Sequence, residues 1–356
     1  TRTSLTNMEF SQQQHYSPQA PAQASVSSLM LNVMLALIPG ISVYIHFFGW
    51  GVLVNIVLAA LFAVIAESLV LMIRRRPVII TLLDGSALLT GILLALALPP
   101  HSSWWLVAIA VFFAIVIAKQ LYGGLGLNPF NPAMTGYVVV LISFPLEMTR
   151  WYPPLEMAEH SLSLLESFRY SFTGYLPAAL KIDMISFATP LDLVRERLDM
   201  GMDISTIRDQ FGIFSALSGK GTEWINAAFL AGGLWLLFRR LVDWRIPVAL
   251  LLSMLLISGL FWLIDPAHYL SPLFHLFAGA TMLGAFFIAT DPVTASTTPV
   301  GRIIFGAGCG LLIYVIRSWG GYPDGVAFAV LLMNLAAPLI DHFSQPKITG
   351  YRGGKA

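Results

Sequence analysis

The chain has 356 residues, 57% of them hydrophobic and only 11% charged, with a mean hydropathy of +0.76. That is far more apolar than a soluble domain, which runs at roughly 45–50% apolar and ~25% charged, so the composition excludes an ordinary water-soluble fold and points to an integral membrane protein. Twenty basic residues against 19 acidic ones leave a net charge of +1, without the basic excess that a nucleic-acid binder needs, and the single Cys309 excludes an intrachain disulfide, a cysteine-held iron–sulfur cluster and a structural zinc.

Residues 1–25 are polar and rich in Gln and Ser, without the basic, apolar and small-residue order of a signal peptide, and read as a cytoplasmic tail. Two apolar runs follow, Ser27 to Phe48 and Gly51 to Ile73, each long enough to cross a hydrocarbon core of ~30 Å. Arg74, Arg75 and Arg76 come next and place that end in the cytoplasm by the positive-inside bias, which puts the N-terminus inside as well. The third run, Ser86 to Leu98, reaches only ~20 Å as a straight helix and stops at Pro99 and Pro100. A span from Trp104 to Leu121, a turn rich in Gly, Asn and Pro, and a fifth run ending at Phe144 complete residues 26–146.

An odd number of segments brings the chain out on the far side. Residues 147–222 are then the one long polar excursion, expected to be periplasmic. Residues 223–342 repeat the earlier pattern, with runs near Trp224–Phe238, Ile246–Ile264, Pro272–Ala289, Ile303–Val315 and Val326–Ile340, before a cytoplasmic tail over 343–356. Ala87, Gly91 and Pro99 match Ala280, Gly284 and Pro292 at a constant offset. The expected fold is therefore all-α, with about ten transmembrane helices in two inverted five-helix repeats whose third helices are broken, plus one periplasmic loop region. Broken helices of this kind expose backbone that lines a binding site or a conduction path.

Within the polar region, Thr189, Pro190, Leu191 and Asp192 spell an N-cap, a proline at N1 and an acidic N3. Simple capping explains them, and the same geometry suits a phosphate ester, because a helix start offers unpaired N–H groups and the positive end of the dipole. Phe168, Tyr170, Phe172 and Tyr175 lie shortly before and could pack on an aromatic cofactor or seat the loop on the membrane. Asp84 and Asp291 flank the two short third segments and are ionisable groups near membrane depth. With Asn128, Asn131, Thr294, Ser296 and Thr297 they are candidates for a second ligand or an ion path, turn and cap chemistry being the competing reading. No Gly-rich nicotinamide fingerprint is present, since Gly123, Gly124 and Gly126 follow a membrane helix.

The run Asp84 to Phe144, the turn Leu127 to Met134, the motif around Thr189 and the run Ala289 to Pro299 together resemble a family of membrane proteins that serve in redox complexes. It includes the D subunit of the Rnf electron-transport complex and, more distantly, the B subunit of the sodium-translocating NADH:quinone oxidoreductase. The resemblance implies covalent FMN, attached by a flavin transferase through its phosphate to a Thr in the pattern Asp, two variable residues, Ser or Thr, Gly, Ala, Thr. Asp183, Ser186, Ala188 and Thr189 fit that pattern, and Phe187 stands where it has glycine. It further implies a bacterial inner-membrane subunit relaying electrons on the periplasmic side of a complex that couples ferredoxin and NAD to ion movement. A periplasmic flavoprotein subunit and other membrane subunits would be its partners, and a noncovalent riboflavin is the second flavin it suggests. Neither a metal site nor a self-contained catalytic residue is expected. The residues alone also admit a passive solute channel or a secondary transporter, because broken inverted repeats build pores too.

Overall fold

The structure, a computed structural model, describes residues 26–158, 161–176, 187–322 and 324–345. The expected N-terminal tail over 1–25, all but the first three residues of the expected C-terminal tail over 343–356, and the motif residues Asp183 and Ser186 lie outside the described residues. In chain order, α1 (Val26–Phe48) and α2 (Gly51–Ile73) lead through a short α3 (Val78–Leu82) into α4 (Ser86–Ala97). Next, α5 (Trp104–Val111) continues as a π-helix over Phe112–Gln120, followed by α6 (Pro132–Ser143) and α7 (Pro145–Met148). The polar region contributes α8 (Leu164–Thr173), α9 (Pro190–Asp199) and α10 (Ile204–Gln210). Then come α11 (Thr222–Phe238), α12 (Arg245–Ile264), α13 (Pro272–Phe277) and α14 (Thr281–Leu283), which runs on into a second π-helical stretch, Gly284–Ile288. Finally α15 (Pro299–Trp319) and α16 (Val326–Phe343) close the described chain.

Five of these, α1, α2, α12, α15 and α16, are long and apolar enough to cross a membrane. Their outward faces are apolar as well: Val57, Leu61, Ile65 and Leu69 on α2, and Val248, Leu252, Leu256 and Leu260 on α12, recur every four residues and are exposed. A continuous exposed aliphatic stripe is unfavourable in water and natural against lipid tails. Other apolar helices are shorter, at Ser86–Ala97, Trp104–Gln120, Pro132–Ser143 and Thr222–Phe238. The run expected at 303–315 is longer than its apolar core suggests, because Thr298 and Pro299 start the helix early and Arg317 is accepted inside its last turn.

Four helix starts share one local cause. Asn131, Thr189, Ser271 and Thr298 each cap a helix through the side chain, and a proline at N1 follows each of them. Proline's fixed φ suits the first turn, where its missing N–H costs no bond.

One hydrophobic core runs from α1 to α16, so the two halves are packed as a unit. Small residues set the helix spacing. A Cβ on Gly232 of α11 would run into the Ala36 carbonyl oxygen of α1, and one on Gly306 or Gly310 of α15 would meet the carbonyls of Ile246 or Leu250 on α12. Close backbone approach of this kind drives helix association where lipid is as apolar as leucine. We therefore expect Gly232→Val to lower stability in detergent by about 1–3 kcal/mol, read as a lower midpoint in thermal aggregation. Gly321→Ala, with open space around it, should leave the midpoint where it is; equal midpoints for both variants would contradict this packing.

Candidate functional sites in two cavities

Thr189 caps α9 in a reciprocal capping box: its Oγ1 accepts from the Asp192 N–H at 3.2 Å, while the Thr189 N–H donates to Asp192 Oδ2, also at 3.2 Å. In addition the Thr189 hydroxyl donates to that same carboxylate oxygen at 2.6 Å. The pair lies in the wall of a cavity of about 330 Å³. Its lining is mostly apolar and aromatic, with Tyr44, Phe48, Tyr137, Phe187 and Phe229 contributing, while Lys220, Asp192 and Asp324 bring the charges. Burial raises the Asp192 carboxyl above the usual carboxylate range, against the opposing pull of its hydrogen bonds from Thr189 and the nearby Arg195.

Phe187 and Ala188 line this cavity too, and the Phe187 N–H donates to the Trp151 carbonyl at 2.8 Å, tying the segment before Thr189 to the end of the first half. Phe187 is not among the residues with positive φ. A side chain is therefore free of backbone strain where the flavin-attachment pattern has glycine. The aromatic cluster on α8 lies elsewhere: Phe172 stacks on Trp104 with centroids 6.0 Å apart, Tyr170 meets His101 edge-on at 6.3 Å, and Phe168, Phe172 and Tyr175 are exposed. None of these four lines the Thr189 cavity, because α8 packs beside α2 and the His101 turn.

A second cavity of about 670 Å³ opens at the other end of the same helices, touching Met30 of α1 and Leu237 of α11 where the first touches Tyr44 and Phe229. Asn128, Asn131 and Asp291 line it, together with Lys119, Ser86 and the basic residues Arg240 and Arg302. Thr294 sits one bond behind, donating from Oγ1 to Asp291 Oδ2 at 3.1 Å. Asp84 is likewise behind the wall, accepting from the Ser86 N–H at 2.7 Å and from its hydroxyl at 2.5 Å. Asn131 is mainly occupied in capping: its Oδ1 accepts from the Met134 N–H at 3.1 Å, and its own N–H donates to Asn334 Oδ1 at 3.0 Å. Asn128 Oδ1 is buried and has no partner among the described residues.

Sequence reasoning passed over three charged features of these sites. Lys220 and Asp324 join the Thr189 cavity from distant parts of the chain and carry no local signature. The Glu67–Lys119 pair did leave a signal, since each is a lone ionisable residue inside an apolar run. Because Asp192 is held above its ordinary range, the linkage sign is that of a raised group. Its contribution to the folded state is complete below the unfolded pKa and is lost as pH rises through the folded one. Protease sensitivity of the segment around α9 should accordingly increase as pH climbs past the usual carboxylate range, and Asp192→Asn, which keeps an oxygen for the Thr189 N–H, should flatten that dependence. A slope unchanged by the substitution would show that another group controls it.

A family model described as NQR2, RnfD, RnfE matches residues 13–350 of the chain. Among curated proteins, the one named as the D subunit of the ion-translocating oxidoreductase complex from Escherichia fergusonii is 52% identical over 346 residues, covering 95% of this chain and 98% of the relative. Proteins of the same name from Shigella dysenteriae, at 51% identity, and Salmonella heidelberg, at 52%, align over the same length.

Proposed function

This chain belongs to the NQR2, RnfD, RnfE family, and from that premise we propose that it is a membrane subunit of an ion-translocating oxidoreductase complex carrying FMN esterified through its phosphate to Thr189. The observation that carries the reading is the Thr189 hydroxyl itself, set at a helix start in the wall of a largely apolar cavity that also contains Lys220. The shared name of the relatives supplies the class of complex.

The residues present fit such a group. A phosphate on Oγ1 would sit at the positive end of the α9 dipole, with the Lys220 ammonium in the same wall to offset its charge. The aromatic and aliphatic lining, Phe187 included, would exclude water from a planar ring system. When bound, the flavin supplies electron transfer, while the protein supplies position, dryness and charge.

Our reading extends to the finer architecture. The five long helices and the shorter or broken ones make ten crossings in two inverted repeats, with the arginine-rich end in the bacterial cytoplasm and Thr189 on the periplasmic side. Attached by a flavin transferase, the group would be held by Thr189, Lys220 and the apolar lining where it could supply electron transfer between partner subunits of a complex coupling ferredoxin and NAD to ion movement. The second cavity, with Asn128, Asn131, Asp291 and Thr294, holds a noncovalent riboflavin or a part of the ion path. A passive channel would use the Thr189 hydroxyl only as the cap of α9 and gives no role to the largely apolar cavity around it.

The expected outcome is a fluorescent flavin band on denaturing gels of protein made in cells with the transferase, lost in Thr189→Ala and kept in Lys220→Met at lower yield. A wild-type band with no fluorescence would sink the covalent attachment.

A further inference from the structure

One costly arrangement lies at the edge of the larger cavity, where Lys119 is in the wall and Glu67 is behind it. Lys119 Nζ and Glu67 Oε1 are 2.7 Å apart, with side chains only 2% and 0% exposed. Two charges removed from water in this way lose several kcal/mol of hydration each, and a helix pair in lipid gains nothing from them that aliphatic side chains would not give. Nor is the pair saturated. Gln120 Nε2 donates to the same oxygen, Glu67 Oε1, at 2.6 Å, whereas Glu67 Oε2 is buried without a partner among the described residues. A purely structural salt bridge satisfies both carboxylate oxygens; this one leaves half its acceptor capacity unused.

Two further observations say what the pair is connected to. Lys119 and Gln120 end the π-helical stretch Phe112–Gln120, a wide-turn geometry that recurs at functional sites because it displaces a side chain from the regular helical face. Lys119 also lines the larger cavity, and its Nζ donates to Ser86 Oγ at 2.7 Å, which in turn donates to Asp84 Oδ1 at 2.5 Å. Glu67 does not line that cavity, so Lys119 stands between the space and the carboxylate. From α2, the Arg74 guanidinium donates to the Gln120 carbonyl at 2.8 Å, and across the cavity that Lys119 lines stand Asp243, Asp291, Arg240 and Arg302.

We propose that Glu67 and Lys119 form a proton-loading site fed from the cavity at the arginine-rich end. In the loading step the Lys119 ammonium transfers a proton to Glu67, an N–H bond breaking as an O–H bond forms. The amine so produced takes a proton from hydronium in the cavity. One proton has then entered, leaving a neutral carboxyl beside an ammonium and a net gain of one positive charge. The unused Oε2 gives the protonated carboxyl a free position, and Ser86, itself bonded to Asp84, accepts from Lys119 in either state. The added charge offsets an electron arriving elsewhere in the subunit, so the coupling rests on the redox reading above, though the site itself does not depend on the bond to Thr189.

The test is redox-difference infrared spectroscopy of the assembled complex in membrane vesicles, following the carbonyl stretch of protonated carboxylic acids and its shift in heavy water. Reduction should raise a band that disappears in Glu67→Gln. Lys119→Arg keeps the positive charge but cannot give up its proton at any working pH, so it should preserve assembly and slow appearance of the band at least tenfold. The double variant Glu67→Gln with Lys119→Met removes both charges together and should assemble normally, showing that loss of the band is not misfolding. The idea fails if reduction raises no band assignable to Glu67, if Lys119→Arg loads at the wild-type rate, or if the band follows sodium at fixed pH and ignores pH at fixed sodium. Gel fluorescence at Thr189 is read separately, so failure of covalent attachment and failure of proton loading are told apart.

Discussion

Every interruption of a helix inside an apolar medium exposes backbone N–H and C=O groups that lipid cannot satisfy, and the rest of the structure is arranged around meeting that demand from within. The break between α13 and α14 shows how completely it is met. Asn226 Nδ2 donates to the carbonyls of Phe277 and Gly279, its Oδ1 accepts from the Met282 N–H, and Asp324 accepts from the Ala280 N–H. Arg317, buried in α15, reaches the carbonyls of His275 and Ala278 and forms an ion pair with Asp324 at 2.9 Å. Three polar residues from separate parts of the chain thus hold one break, and that break faces the Thr189 cavity through Ala278, Gly279 and Ala280.

The same logic governs the other end. The turn before α15 presents the Thr297 N–H, the Thr298 N–H and the hydroxyls of Ser296 and Thr297, and the Asp341 carboxylate of α16 gathers all four. In the first half the turn at Pro99 is satisfied more sparsely, by Asn55 Nδ2 and Ser102 Oγ donating to its carbonyl. A break held by several donors and acceptors on separate helices cannot close or slide without losing all of them. The two cavities therefore sit between fixed walls, which suits a group whose electron transfer depends on position.

What the sequence disclosed, and what it hid, follows from the range of each interaction. Apolar runs and cap–proline pairs are local, so Thr189 with Pro190 and the partner Asp192 three residues on was legible as a helix start, while Asn131 with Pro132, the same device, was read only as part of a turn. The stop of the first half's short helix before Pro99 was legible, because proline disfavours helix at the residue before it, whereas the break between Phe277 and Thr281 fell inside an apolar run read as continuous from Pro272 to Ala289. The cavity walls were not, since Tyr44, Lys220 and Asp324 meet Thr189 only through packing of helices far apart in the chain. For Phe168, Tyr170 and Phe172 the sequence left cofactor packing and loop seating open; packing turns these rings toward Trp104, His101 and the surface, away from the lining of the Thr189 cavity.

The cap–proline device also distinguishes the two cavities chemically. Each has one such helix start in its wall, Thr189–Pro190 in the smaller and Asn131–Pro132 in the larger, and in each the capping side chain accepts the N–H three residues on. The electrostatics at the two positions are therefore alike, a helix N-terminus directed at an enclosed space. What differs is the atom offered. A threonine carries a hydroxyl oxygen able to form a phosphate ester and to give its proton to the carboxylate 2.6 Å away, whereas an asparagine amide has no such oxygen and is already committed to Met134 and Asn334. At its capped helix start the smaller cavity offers a hydroxyl, whereas the larger offers there only an amide, beside Asn128 and the charges of Lys119, Arg240 and Asp291. That contrast is confined to the two helix starts, since serine and threonine hydroxyls also line the larger cavity elsewhere.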